Sequence, residues 1–172
     1  MDSRTKKVYL GKARHNLKNP VNAILGYSEM LIEDCEDEGL HSVVEDLGKL
    51  YFAGKDILTA IETNFSDQSL SLAKKKISDI GKQTELDIRT PLNTIIGYSE
   101  LIIEDNPNIR IETFHSDIQK IIDSGRNLEK ELSSIITFDV SSLNISKDNY
   151  STNKNVSLLE DVLKSIQPLA RG

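Results

Sequence analysis

The feature that most constrains this chain is that it says the same thing twice. The stretch His15-Asn16-Leu17-Lys18-Asn19-Pro20-Val21-Asn22 runs into Ile24-Leu25-Gly26-Tyr27-Ser28-Glu29. It returns as Leu86-Asp87-Ile88-Arg89-Thr90-Pro91-Leu92-Asn93, running into Ile95-Ile96-Gly97-Tyr98-Ser99-Glu100. Every matched pair, Pro20 and Pro91 among them, is 71 positions apart. The same offset relates Asp46 to Asp117, Lys49 to Lys120 and Gly54 to Gly125, so the repeat covers more than one element and carries no net insertion. Two copies of one unit, built alike, are expected.

The period of the apolar residues says what that unit is. Leu17, Val21, Ile24, Ser28 and Leu31 are spaced four, three, four, three, which makes one seam along a helix. Val43, Leu47, Leu50, Gly54, Ile57 and Ile61 make a second seam. Ile88, Leu92, Ile95, Ser99 and Ile102 repeat the first, and Phe114, Ile118, Ile121, Gly125, Leu128, Leu132 and Ile135 make the fourth. Helices are expected over 5–34, 40–64, 70–105 and 111–137. The acidic stretch ending at Gly39 and the Asn106-Pro107-Asn108 turn signal close the two hairpins. Gly54, at a seam position, is expected to allow close helix approach.

One hairpin leaves half its seam wet. Each apolar side chain left exposed forfeits about 1.5–3 kcal/mol, so hairpins pair into four-helix bundles. The expected fold is all-α: two tandem hairpins forming an antiparallel four-helix bundle, an intramolecular pseudo-dimer. A homodimer or swapped dimer is the competing arrangement, because the connection between hairpins is short. The expected segments are a first hairpin over 1–66, a connection over 67–71 and a second hairpin over 72–137. A polar linker over 138–156 and a short amphipathic helix over 157–172 follow. Only 5% of residues are aromatic and none is Trp, which suits a core of Leu, Ile and Val.

At about 100° per residue, His15 lies almost opposite the seam and faces water. Asn19 sits one turn on, on the same outer face. Pro20 cannot donate to the carbonyl of Asn16, which frees that oxygen beside His15. A neutral imidazole on a rigid helix is a competent nucleophile.

These residues resemble the dimerisation and histidine-phosphotransfer domain of two-component histidine kinases. The likeness rests on His15, Leu17, Lys18, Asn19 and Pro20, followed by Asn22-Ala23-Ile24-Leu25-Gly26-Tyr27-Ser28-Glu29, and covers most of residues 5–137. It implies that His15 accepts a phosphoryl group and exchanges it with the aspartate of a response-regulator receiver domain. It also implies that Asn19 orients water for dephosphorylation and that Asn16, Lys18 and Asn22 contact a partner. Two departures stand out. The acid that follows the histidine in that family is Asn16 here, and an amide cannot serve as a base. In the second copy the acid is present as Asp87, but the histidine is lost to Leu86.

The resemblance further implies a receiver carrying Mg²⁺, and an ATP-binding domain in cis or in trans. No cofactor or metal is expected in this chain itself. Residues 157–172 look like the opening of that ATP-binding domain, but its nucleotide boxes and any P-loop pattern are absent from these residues. The alternative function is a non-catalytic scaffold or signal-transmitting element with a degenerate kinase module. His41 and His115 have no partners at metal-ligand spacing. The net charge of −6 argues against nucleic acid as a partner. Cys35 is the only cysteine, and no apolar run approaches a bilayer span, so a cytoplasmic chain is expected.

Overall fold

The computed structural model describes residues 3–66 and 76–138. Within them the chain forms four helices: α1 (Ser3–Asp37), α2 (His41–Asn64), α3 (Ile77–Asp105) and α4 (Phe114–Ile136). Each helix packs on two neighbours. α1 touches α2 and α4, and α3 touches α2 and α4, so α1 and α3 are diagonal across a closed ring. This is an all-α four-helix bundle closed by two hairpins of one chain.

The seams read from the sequence are the core. Every seam position on all four helices is buried, including Ser28, Ser99 and the two glycines. Tyr9, Leu10, Ala13 and Cys35 extend the α1 seam toward its two ends, and Phe65, at the C-cap of α2, is buried with them.

The boundaries differ in detail. α1 runs uninterrupted through Pro20 and is longer than expected at both ends. It stops in a two-bond cap: Leu40 N–H donates to the Cys35 carbonyl at 2.9 Å and Gly39 N–H to the Glu36 carbonyl at 3.0 Å. That cap needs a left-handed residue, which Gly39 supplies at φ 71°. The second turn is built otherwise. Asn106 Nδ2 donates to the Ile102 carbonyl at 3.0 Å, and α4 begins at Phe114, three residues later than the sequence suggested. For α3, a start at Leu70 was expected. Lys76 is extended (ψ 153°) and the helix begins at Ile77. The connection over 67–71, the expected linker over 138–156 apart from Phe138, whose ring lies 4.3 Å from that of Tyr9, and the segment over 157–172 lie outside the described residues.

The two hairpins are related by an approximate twofold axis along the bundle. Lys49 Nζ, on α2, stands 4.8 Å from the ring centre of Tyr98 on α3. Lys120 Nζ, on α4, stands 4.9 Å from the ring centre of Tyr27 on α1. These contacts are the same pair exchanged through the 71-residue offset, so the hairpins clasp each other reciprocally. Both lysines also pair along their own helix, Lys49 with Asp46 at 2.8 Å and Lys120 with Asp117 at 2.7 Å. No described helix is long and apolar enough to cross a membrane.

Candidate functional site

His15 is exposed on the outer face of α1, with Asn19 and Asn22 exposed beside it at helical spacing. The buried face of the same turns is Leu17, Val21 and Ile24, each without solvent access. The position is therefore set by amphipathicity: a core on one side presents the imidazole on the other.

The flanks of His15 are made by its neighbours. On the α2 side, Lys18 Nζ pairs with Glu62 Oε1 at 2.7 Å, and Arg14 Nη1 donates to the Phe65 carbonyl at 3.3 Å. Phe65 is the C-cap of α2, so the guanidinium also lies at the negative end of that helix. Two cations thus stand within one helical turn of His15, both anchored to α2. Asn16 is half-buried on the opposite flank of α1. The structure therefore groups His15, Asn19 and Asn22 on one outer strip, puts Lys18 at its α2 edge and turns Asn16 away from it.

The equivalent strip on the second hairpin has different chemistry. Leu86 occupies the histidine's place and is 59% exposed, a cost local packing does not relieve. Asp87, the acid missing from the first copy, accepts from Asn64 Nδ2 at 2.8 Å and from Gln83 Nε2 at 2.9 Å. It ties α3 to the C-terminal end of α2. The Lys18–Glu62 pair has no counterpart, because Ser133 stands where Glu62 would be. Between α3 and α4 a groove of about 300 Å³ opens there instead, walled by Glu85, Arg89, Glu129 and Ser133 over Ile88 and Leu132.

Sequence reasoning singled out the strip but missed its anchors. Arg14, Glu62 and the Asn64–Asp87 bond connect different helices, and periodicity along one helix carries no sign of them. The lysine–tyrosine clasps were within reach, since both partners recur at the repeat offset.

Among the described residues five groups depart from their ordinary acidity, two of them the clasp lysines: Lys49 and Lys120 are raised, each first by its hydrogen bond to Asp46 or Asp117. Burial pushes the Cys35 thiol up to about 11, and Asp34 beside it adds to the shift. Burial pushes Tyr9 up to about 12, with Glu131 acting the same way. At Asp117 burial works to raise the carboxyl, but hydrogen bonds from Lys120 and Thr113 and the Lys120 charge outweigh it and hold it below its usual value. Among the described residues, no three of His, Cys, Asp and Glu are gathered where they could hold a metal ion.

The fold and this strip define a four-helix bundle of duplicated hairpins with an outward histidine on α1 and an exposed leucine at the matching place on α3. No family model, no curated protein and no solved structure matches the chain.

Proposed function

We propose that this chain is a histidine phosphotransfer and dimerisation-type module of a two-component phosphorelay, with His15 as its phosphoryl acceptor. A lone pair on a neutral ring nitrogen attacks the phosphorus of a receiver's aspartyl phosphate. The N–P bond forms as the P–O bond to the aspartate breaks, and the carboxylate leaves. The reverse step passes the group to another receiver. The receiver supplies Mg²⁺ and most of the charge stabilisation.

The single observation that carries this reading is the exposed His15 on a helix whose opposite face is fully packed. The nearby cations add to it. A phosphoryl group on His15 brings about −1.5 to −2 charges, and Arg14 and Lys18 are placed to offset them. A receiver would dock across α1 and α2 beside His15, and Asn19 and Asn22 would line that contact.

The amide at Asn16 favours a narrower role. Without an acid after the histidine, the chain is a substrate for phosphoryl transfer from a partner rather than a site of autophosphorylation. A scaffold without chemistry remains the second reading, and Leu86 in the histidine's place of the second copy favours it.

Acid-labile phosphate separates the two. The purified chain is incubated with ATP alone, then with ATP plus kinases and receivers of the same cell. Label is expected only with partners present, and His15→Gln is expected to abolish it while leaving the helical content unchanged. Label that persists in His15→Gln would overturn the site. No label with receivers shown to be competent would establish the scaffold.

A further inference from the structure

Ser28 and Ser99 occupy equivalent places in the two hairpins, 71 positions apart, in the middle of the α1 and α3 seams. Both are without solvent access, and neither hydroxyl has a hydrogen-bond partner among the described residues. Other hydroxyls in these helices behave differently. Thr84 Oγ1 donates to the Ile80 carbonyl at 2.8 Å, and Ser124 Oγ to the Lys120 carbonyl at 2.7 Å. Thr59 and Thr94 also donate to the carbonyl four residues back. That bond satisfies a helical serine or threonine within its own helix. The two core serines do not make it, and their seam positions set both side chains in the core.

We propose that Ser28 and Ser99 are the two walls of an internal water site on the bundle axis, and that this polar layer fixes how the hairpins pair. Their level is the same. Each follows a tyrosine held by the reciprocal clasp, Tyr27 by Lys120 and Tyr98 by Lys49. Their helices are diagonal. Neighbouring helices pack about 8–10 Å apart, so diagonal axes lie about 11–14 Å apart. That leaves about 2–5 Å between inward hydroxyl oxygens once the Cα radius of about 2.3 Å and the side chains are taken off. A direct bond would need the lower end of that range, and none forms. One water, bonded to each hydroxyl at about 2.8 Å, spans the upper end. Buried waters occupy such places, between polar groups that nothing else satisfies. A bundle slipped by one turn would separate the two hydroxyls and set each against apolar side chains. The layer therefore selects one register of the two hairpins.

The test combines a high-resolution crystal structure of the whole chain with a double-mutant cycle in chemical denaturation. Serine to alanine is small and keeps the helix, so all variants are expected to fold. The expected crystal shows one water bonded to both hydroxyls, gone in Ser28→Ala. Either Ser28→Ala or Ser99→Ala lowers the folding equilibrium constant about 3–10-fold, because each strands the other hydroxyl. The double variant is then no worse than the single ones. A dry centre with the hydroxyls on the Ile24 and Ile95 carbonyls would overturn the proposal. So would effects of the two substitutions that add, whatever their sign.

Discussion

His15 is presented by its helix rather than by a pocket, so its chemistry depends on what flanks it. The Lys18–Glu62 pair has side chains 33% and 54% exposed, and pairs of that kind add only about 0–1 kcal/mol to stability. Replacing Lys18 by Gln is therefore expected to leave the thermal midpoint nearly unchanged while slowing the proposed phosphoryl transfer to His15 several-fold. Equal rates would leave the lysine a surface group. Asp117 behaves in the opposite way. Its folded acidity lies below the unfolded value, so its contribution is present above the unfolded pKa of about 4 and is lost as pH falls through the folded one. Stability measured by denaturant midpoint is expected to drop below about pH 4, and Asp117→Asn is expected to flatten that drop. Cys35, buried and pushed up to about 11, is expected to react with iodoacetamide only on unfolding. Rapid alkylation of the folded chain would show that the lower end of α1 opens. The residues that carry the candidate chemistry were legible in the sequence, because His15, Lys18, Asn19 and Pro20 are contiguous. Their electrostatic partners were not, because Glu62 and Phe65 arrive from another helix.

Glycine separates the faces of each element. Ala in place of Gly inside an exposed helix gains about 0.5–1 kcal/mol. A Cβ at Gly26 or Gly48 would meet nothing within 4 Å, so Gly26→Ala and Gly48→Ala are expected to raise the melting temperature. At Gly81 it would meet Ile136 Cγ1 at 2.9 Å and the Ile136 backbone nitrogen at 3.3 Å. A backbone atom cannot turn aside as a side chain can, so Gly81→Ala is expected to destabilise α3 against α4 by about 1–3 kcal/mol. Thermal melts of the three variants check both signs. Gly54 is intermediate: its added Cβ would meet the far end of Leu25 at 2.9 Å. The close approach expected there from its seam position is present, whereas the one at Gly81 was invisible because Gly81 lies outside the seam that the repeat defined. The same limit applies to helix ends. Gly39 gave α1 its stop, but the starts of α3 and α4 are set by extended and turn residues that no side chain caps.

At the scale of the molecule, the bundle closes because each hairpin offers the other an apolar face. The whole chain, with both faces covered internally, is expected to melt at a temperature independent of its concentration. Residues 1–66 alone expose the faces that α3 and α4 cover, and are expected to fold only as a homodimer, with a midpoint that rises with concentration. A concentration-independent fragment would mean that one hairpin suffices, and a concentration-dependent whole chain would mean that the hairpins pair between chains. The duplication also leaves a chemical asymmetry between the two hairpins. A symmetric pair of hairpins would carry a histidine at both equivalent places, whereas this chain has His15 at one and the 59% exposed Leu86 at the other.

By itself the sequence determined the helices, the four seams, the duplication and the outward histidine. Those follow from periodicity and from a constant offset, both of which are local or self-comparing properties of a string. Only the tertiary structure decided which helices touch, that the lysine–tyrosine clasps are reciprocal, that Asp87 serves α2 rather than a histidine, and that two serine hydroxyls meet no partner in the core. Each of these depends on distances between helices that lie far apart along the chain. The apolar pattern says that a face is buried, but any apolar face buries equally well, because the hydrophobic effect has no direction. Direction comes from ion pairs, hydrogen bonds and close contacts, and those form only once the faces have met.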